Sequence, residues 1–263
     1  MKKVMIVAIL VLGLVLMSMP AFSTPLSVFD GWTLIADDDG VGAQGFVDPG
    51  WGGQDFDAEY LFYQLNDDKT KLSIGLQTGF DIIDGKLTHG NKDYYAGDLA
   101  LSFDDCGANG WEYGVEFGWY QQDYYPDNSN DPNNDLNNNG TDNDPSEVGL
   151  YRVSAWNGDV YTGYTSSAPF AIKSGSKVSV GFTPEVCNDA EDGSYWRIVT
   201  FDVADLVGVT GGIQNIAAHW TMSCGNDVVE GCAPVPEPQT LLLMGIGLLC
   251  LAFIGRKKLG ERS

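Results

Sequence analysis

The chain has 263 residues, with 36 acidic against 14 basic side chains and a formal net charge of −22. A polyanion of that size has no electrostatic attraction for nucleic acid or for anionic lipid headgroups, which excludes both as partners of the folded part. It remains soluble outside a cell and collects divalent cations.

Lys2 and Lys3 precede an apolar stretch over residues 4–17, followed by Ala21, Phe22 and Ser23. Small residues at 21 and 23 fit the spacing of a secretory signal peptide, 1–23, cut after Ser23. The apolar stretch is short for a retained membrane helix. The expected organisation is then one secreted domain over 24–233, followed by a separate C-terminal segment over 234–263. That central domain carries 8 basic against 34 acidic side chains, a balance of −26.

From Trp32 onward, short alternating runs are separated by Gly, Asn and Asp. The runs are 32–36, 59–65, 71–78, 97–104, 113–120, 149–156, 177–183, 195–203 and 213–222. In 71–78, Leu72, Ile74 and Leu76 share one face while Ser73, Gly75 and Gln77 share the other. Period-two alternation with β-branched and aromatic residues predicts half-buried strands, and no long amphipathic helix competes. A helical turn is expected near 203–207. The fold class is all-β: a single jelly-roll-like β-sandwich of about ten to twelve strands, with no internal repeat.

One stretch breaks the rhythm. Residues 123–147 lack hydrophobic alternation, and 13 of the 20 positions over 126–145 are Asp or Asn. A loop of that length is functional or unstructured in most domains. Asp135, Asn137, Asn139 and Gly140 open like a calcium loop of the D-x-[DN]-x-[DN]-G type, and the alternation extends backward through Asp127 and Asp131. Position 12 is Ser146, with Glu147 one residue late, so the motif is incomplete. Calcium is the cofactor this stretch suggests. A second acidic cluster, Asp37-Asp38-Asp39-Gly40, reads first as a solvated turn and second as an ion site shared with a neighbouring loop.

Catalytic signals are sparse. Glu112 and Glu116 share a strand face with Gly114, a pair that a glycosidase would need across a groove. Regular strand spacing puts their α-carbons about 13 Å apart, beyond the working range for two carboxyls. His219, beside Trp220, reads as a hydrogen-bonded core histidine. No nucleophile elbow or phosphate loop is present, and the expectation is a non-enzyme. Aromatic residues make up 12 % of the chain. Trp119, Tyr124 and Tyr125, at the root of the long loop, are candidates for stacking on sugar rings.

Cys250 lies in the C-terminal apolar run. The other four cysteines, Cys106, Cys187, Cys224 and Cys232, form an even set in an oxidising compartment, where disulfides are expected. The short spacing favours Cys224 with Cys232, which leaves Cys106 with Cys187. Zinc is disfavoured by the absence of C-x-x-C spacing and by a total of only two histidines.

The chain ends in three parts in fixed order: Pro236-Glu237-Pro238, an apolar run over 241–255, and the basic cluster Arg256, Lys257 and Lys258. The prolines forbid a continuing strand or helix. A helix over 240–255 is short for a ~30 Å hydrocarbon core, and the cations behind it stay cytoplasmic. This order resembles the PEP-CTERM sorting signal, whose bearers are substrates of exosortase, a membrane-embedded processing enzyme of Gram-negative bacteria. The resemblance implies transient anchoring in the inner membrane, cutting near the triplet, and delivery to the cell surface or extracellular matrix. It also implies extracellular polysaccharide as a partner and a structural or adhesive role. The alternatives are a calcium-assisted glycan-binding module and, further off, a glycoside hydrolase.

Overall fold

The computed structural model describes residues 24–38, 53–83, 85–103, 105–117, 148–157, 168–178, 183–187, 193–206, 213–225 and 227–236. The expected signal peptide, the loop over 123–147 and the tail beyond Pro236 lie outside the described residues.

Five strands form one antiparallel sheet: β1 (Thr33–Asp37), β2 (Ala58–Leu65), β3 (Lys71–Thr78), β10 (Thr183–Cys187) and β11 (Tyr195–Asp202). Six form the other: β6 (Leu99–Ser102), β7 (Tyr113–Glu116), β8 (Gly149–Asn157), β9 (Ala171–Lys177), β12 (Asn215–Thr221) and β13 (Val228–Pro234). The first sheet runs β1-β2-β3-β11-β10 and the second β13-β12-β6-β7-β8-β9. A small hairpin, β4 (Lys86–His89) with β5 (Lys92–Tyr95), stands apart. A single helical turn follows β11 at Val203–Asp205.

The chain crosses from the first sheet to the second between β3 and β6 and again between β11 and β12, and returns to the first between β9 and β10, while β3 pairs with β11 and β6 with β12. The run β6 to β9 is instead a meander within one sheet.

Alternation explains which faces meet. Leu72, Ile74 and Leu76 of β3 face inward with Leu61 and Tyr63 of β2 and Val199 and Phe201 of β11. From the second sheet they meet Leu99, Leu101, Tyr113, Val115, Leu150, Ile216, Ala218 and Trp220, in one continuous core. Trp220 satisfies its indole by donating Nε1–H to the Gly97 carbonyl at 2.9 Å. The edge strands β1 and β13 close one side of the sandwich. A Cβ on Gly231 of β13 would lie 2.3 Å from the Ile35 carbonyl oxygen, so only glycine lets these two backbones approach.

Neither outer face is solvated as simple alternation predicts. On the five-stranded sheet, residues 24–32 lie across β2, β3 and β11. Phe29 stacks on Phe62 at 4.4 Å and packs with Ile198, while Trp32, Tyr60 and Trp196 surround it. Gly75 makes the room, since a Cβ there would fall 2.2 Å from the Phe29 ring. Gln77 anchors the start of this segment: its carboxamide accepts from the Leu26 amide and donates to the Thr24 carbonyl, both at 2.9 Å. The same Gln77 donates to Glu59, whose other oxygen accepts from Gln54 and from Ser194, so this fully buried carboxylate is multiply hydrogen-bonded.

On the six-stranded sheet the residues leading into β9, 168–170, lie against the start of β6 and against β12. The Asp98 amide donates to the Phe170 carbonyl, and the Ile172 amide donates to the Asp98 carboxylate at 2.7 Å. His219 donates from Nε2 to the Pro169 carbonyl at 2.9 Å and places Nδ1 2.8 Å from Glu230. The expected hydrogen-bonded core histidine is therefore what the sheet contains, with one partner from the segment before β9 and the other, Glu230, directly across from it on β13. The hydrogen bond with His219 holds the Glu230 carboxyl below its usual range.

Candidate functional site

Three strand ends at one end of the sandwich bring three carboxylates together. Asp38 follows β1, and its amide extends the ladder by donating to the Glu59 carbonyl. Asp57 immediately precedes β2, with its carbonyl accepting from the Gly79 amide and the Thr78 hydroxyl. Asp227 immediately precedes β13. Its two carboxylate oxygens accept from the Ala58 amide at 2.7 Å and the Val228 amide at 2.9 Å, so it ties the first sheet to the second. One oxygen from each of the three aspartates lies within 4.8 Å of the others.

Asp57 and Asp227 are buried, and Asp38 is partly covered. Burial, reinforced by the charges of Asp38 and Asp57, pushes the Asp227 carboxyl up to about 9. A hydrogen bond between Asp227 and Asp38 has the same sense, because it requires a proton on one of the two. Three carboxylates at this separation need a proton or a cation among them. An all-oxygen set of this kind suits a hard divalent ion such as calcium, supplying three of the six to eight oxygens it takes.

The sequence pointed at this place only through Asp38, in the Asp37-Asp38-Asp39 cluster. Asp37 is solvated as expected, but as the last residue of β1, paired with Tyr60, and not in a turn. Asp38 turns to the other two, and Asp39 is outside the described residues. Asp57 and Asp227 carried no signal of a shared site, each being set just before a strand and far apart in sequence. The proposed calcium ligands Asp127, Asp131, Asp135, Asn137 and Asn139 lie outside the described residues, as do Trp119, Tyr124 and Tyr125.

The pair Glu112 and Glu116 does not flank an open groove. Glu116 is buried, and Gly114 between them is roofed by Ile172 and Trp156, either of which a Cβ at 114 would meet at 2.7 Å. Arg197 of β11 lies near Glu116 and over the Phe117 ring at 4.7 Å, inside the sandwich rather than on its surface. Burial lowers the Arg197 guanidinium to about 10, with the charge of Glu116 opposing.

The disulfide pattern corrects the expectation from spacing. Cys106 bonds to Cys232, and Cys224 is buried. Cys232 lies on β13 opposite Ala217 of β12, while Ala217 pairs with Ser102 near the end of β6, which brings the segment after β6 alongside β13. Cys224 instead sits in the turn after β12 and packs into the core. Proximity in sequence lost to register in the sheet. Cys187 closes β10.

Strand β13 leads directly into the C-terminal segment. Pro234 pairs with Asn215, and its carbonyl accepts from the Tyr63 hydroxyl at 2.8 Å. The buried Val235 donates its amide to the Gln214 carbonyl at 2.8 Å. Pro236, the first residue of the Pro-Glu-Pro triplet, accepts at its carbonyl from Lys69 at 2.7 Å. Glu237, Pro238, Arg256, Lys257 and Lys258 lie outside the described residues, and among the described residues no helix is long and apolar enough to cross a membrane.

No curated protein and no solved structure matches the chain. Its C-terminal segment does match: residues 234–258 fit the family model described as the PEP-CTERM protein-sorting motif. The motif implies exosortase as the processing partner of an exported precursor, and the chain is a bearer of the PEP-CTERM sorting motif, joined without a spacer to the last strand of a β-sandwich.

Proposed function

We propose that this is an exosortase-sorted protein of the cell surface or extracellular matrix, whose sandwich serves as a structural or adhesive element among exopolysaccharide and not as a catalyst. The observation that carries the reading is the sorting motif over 234–258, following directly on an acidic, disulfide-linked β domain. The roofed Gly114 and the buried Glu116 support a non-catalytic role, since they leave no cleft between the two glutamates. The test is fractionation of cells with and without active exosortase. The body is expected outside the cell or on its surface, without its tail, only when the enzyme is active. Retention in the membrane fraction under both conditions would sink the reading.

A second reading is favoured by the convergence of Asp38, Asp57 and Asp227: a calcium-assisted glycan-binding module. Co-sedimentation of the oxidised protein with exopolysaccharide, in calcium and in chelator, separates the two. Binding that needs calcium and is lost in Asp38→Asn supports the module. Binding indifferent to calcium, or none, leaves the structural role.

A further inference from the structure

His219 is wholly buried, and each of its two ring nitrogens faces an acceptor oxygen. We infer that this fold holds the ring as the imidazolium, and that its second proton pins residues 168–170 to the six-stranded sheet, so that docking of the segment depends on pH. The inference stands apart from the sorting of the chain and from the three aspartates.

Nε2 lies 2.9 Å from the Pro169 carbonyl oxygen, which has only lone pairs to offer. Nδ1 lies 2.8 Å from Glu230, whose carboxyl is held below its usual range by this contact and is an ionised acceptor. A neutral imidazole carries one N–H and satisfies one of these oxygens; the imidazolium satisfies both. The Trp111 ring, 5.5 Å from that of His219, lies within the distance at which an aromatic system favours a cation. The other charged groups on the elements around the ring are Asp98 just before β6, Glu112 beside Trp111, and Lys173 after Ile172 on β9. Asp98 is engaged with the docked segment itself, giving its amide to the Phe170 carbonyl and accepting from the Ile172 amide.

Loss of one ring proton forces a choice. A lone pair turned to the full charge of Glu230 is worse placed than one turned to the partial charge of a carbonyl, so the remaining N–H stays on Nδ1. Nε2 and the Pro169 oxygen then oppose each other as two acceptors in a buried site, and the segment has to shift. Ile172, which roofs Gly114, follows it. The segment is therefore docked while the ring is protonated and loosens as pH rises through the loss of that proton.

The test uses the full chain, labelled with 15N in its two histidines. Ring shifts report the protonation of His219, while hydrogen exchange at the Asp98 and Ile172 amides reports docking. Glu230 is exposed, and in Glu230→Gln a carboxamide donates to Nδ1, so that a neutral ring makes both contacts. In the unaltered chain, protection of the two amides relative to the β3–β11 ladder should fall at least about tenfold as the ring loses its proton, the factor an unsatisfied buried group carries, and in Glu230→Gln it should change by less than about twofold. A neutral His219 ring beside protected Asp98 and Ile172 amides in the unaltered chain overturns the inference. So does loss of the ring proton with protection unchanged, and so does an equal fall in Glu230→Gln.

Discussion

Asp227 is gripped by two backbone amides while two further carboxylates face it, and these influences oppose one another. Its carboxyl rises from 3.8 in the unfolded chain to about 9, so between these values the folded protein holds a proton that the unfolded chain has released. Stability from this group is greatest below about pH 4 and falls as pH rises towards 9. We expect the melting temperature in chelator to decline across that window, with other carboxylates superimposed. Asp38→Asn keeps a hydrogen-bonding side chain and removes a charge. It should flatten the decline and stabilise the protein at pH 8 by about 1 kcal/mol, near 2–4 °C for a domain of this size. Calorimetry with and without calcium checks both; an unchanged pH slope in the variant would remove the charge argument. A bound cation would replace the proton, so calcium should stabilise the original chain and not Asp38→Asn.

At the scale of elements, the segment over residues 24–32 shows what alternation can and cannot convey. Leu72, Ile74 and Leu76 announced the inward face of β3, and the strand runs over the expected 71–78. Gly75, on the opposite face, looked like part of a solvated side, yet its missing Cβ is the seat of Phe29. No periodicity in either segment encodes that contact, because it joins residues distant in sequence. Phe29→Ala should cost about 3–5 kcal/mol, the range for emptying a buried aromatic position, and expose Phe62 and Ile198. Equilibrium urea unfolding would read the loss, and a cost under about 1 kcal/mol would mean the segment is dispensable. Strand β9 was missed for a related reason. Lys173, Ser174, Gly175 and Ser176 give it the polar look of a loop, which suits a sheet edge that must not recruit other chains. The run expected at 177–183 begins where β9 ends.

For the whole molecule, the β class and its layering follow from composition and period, and the tail from three motifs in order. The candidate site was less legible: Asp38 stood in a visible acidic run, whereas Asp57 and Asp227 depend on β2 pairing with β1 and on β13 stacking beside them. The disulfide depends on the same long-range register. Cys106 and Cys232 are 126 residues apart, and closing so long a loop restricts the unfolded chain by about 5 kcal/mol in the entropy model. Reduction should lower stability by a large part of that amount, measured as the urea midpoint with and without reductant. The same bond has a consequence for how the molecule responds to a protease. Any single backbone cut between residues 107 and 231 leaves two fragments still joined covalently. A nicked copy would run as one species without reductant and as two with it. A proteolytic nick would then be recorded in the chain without shedding either half.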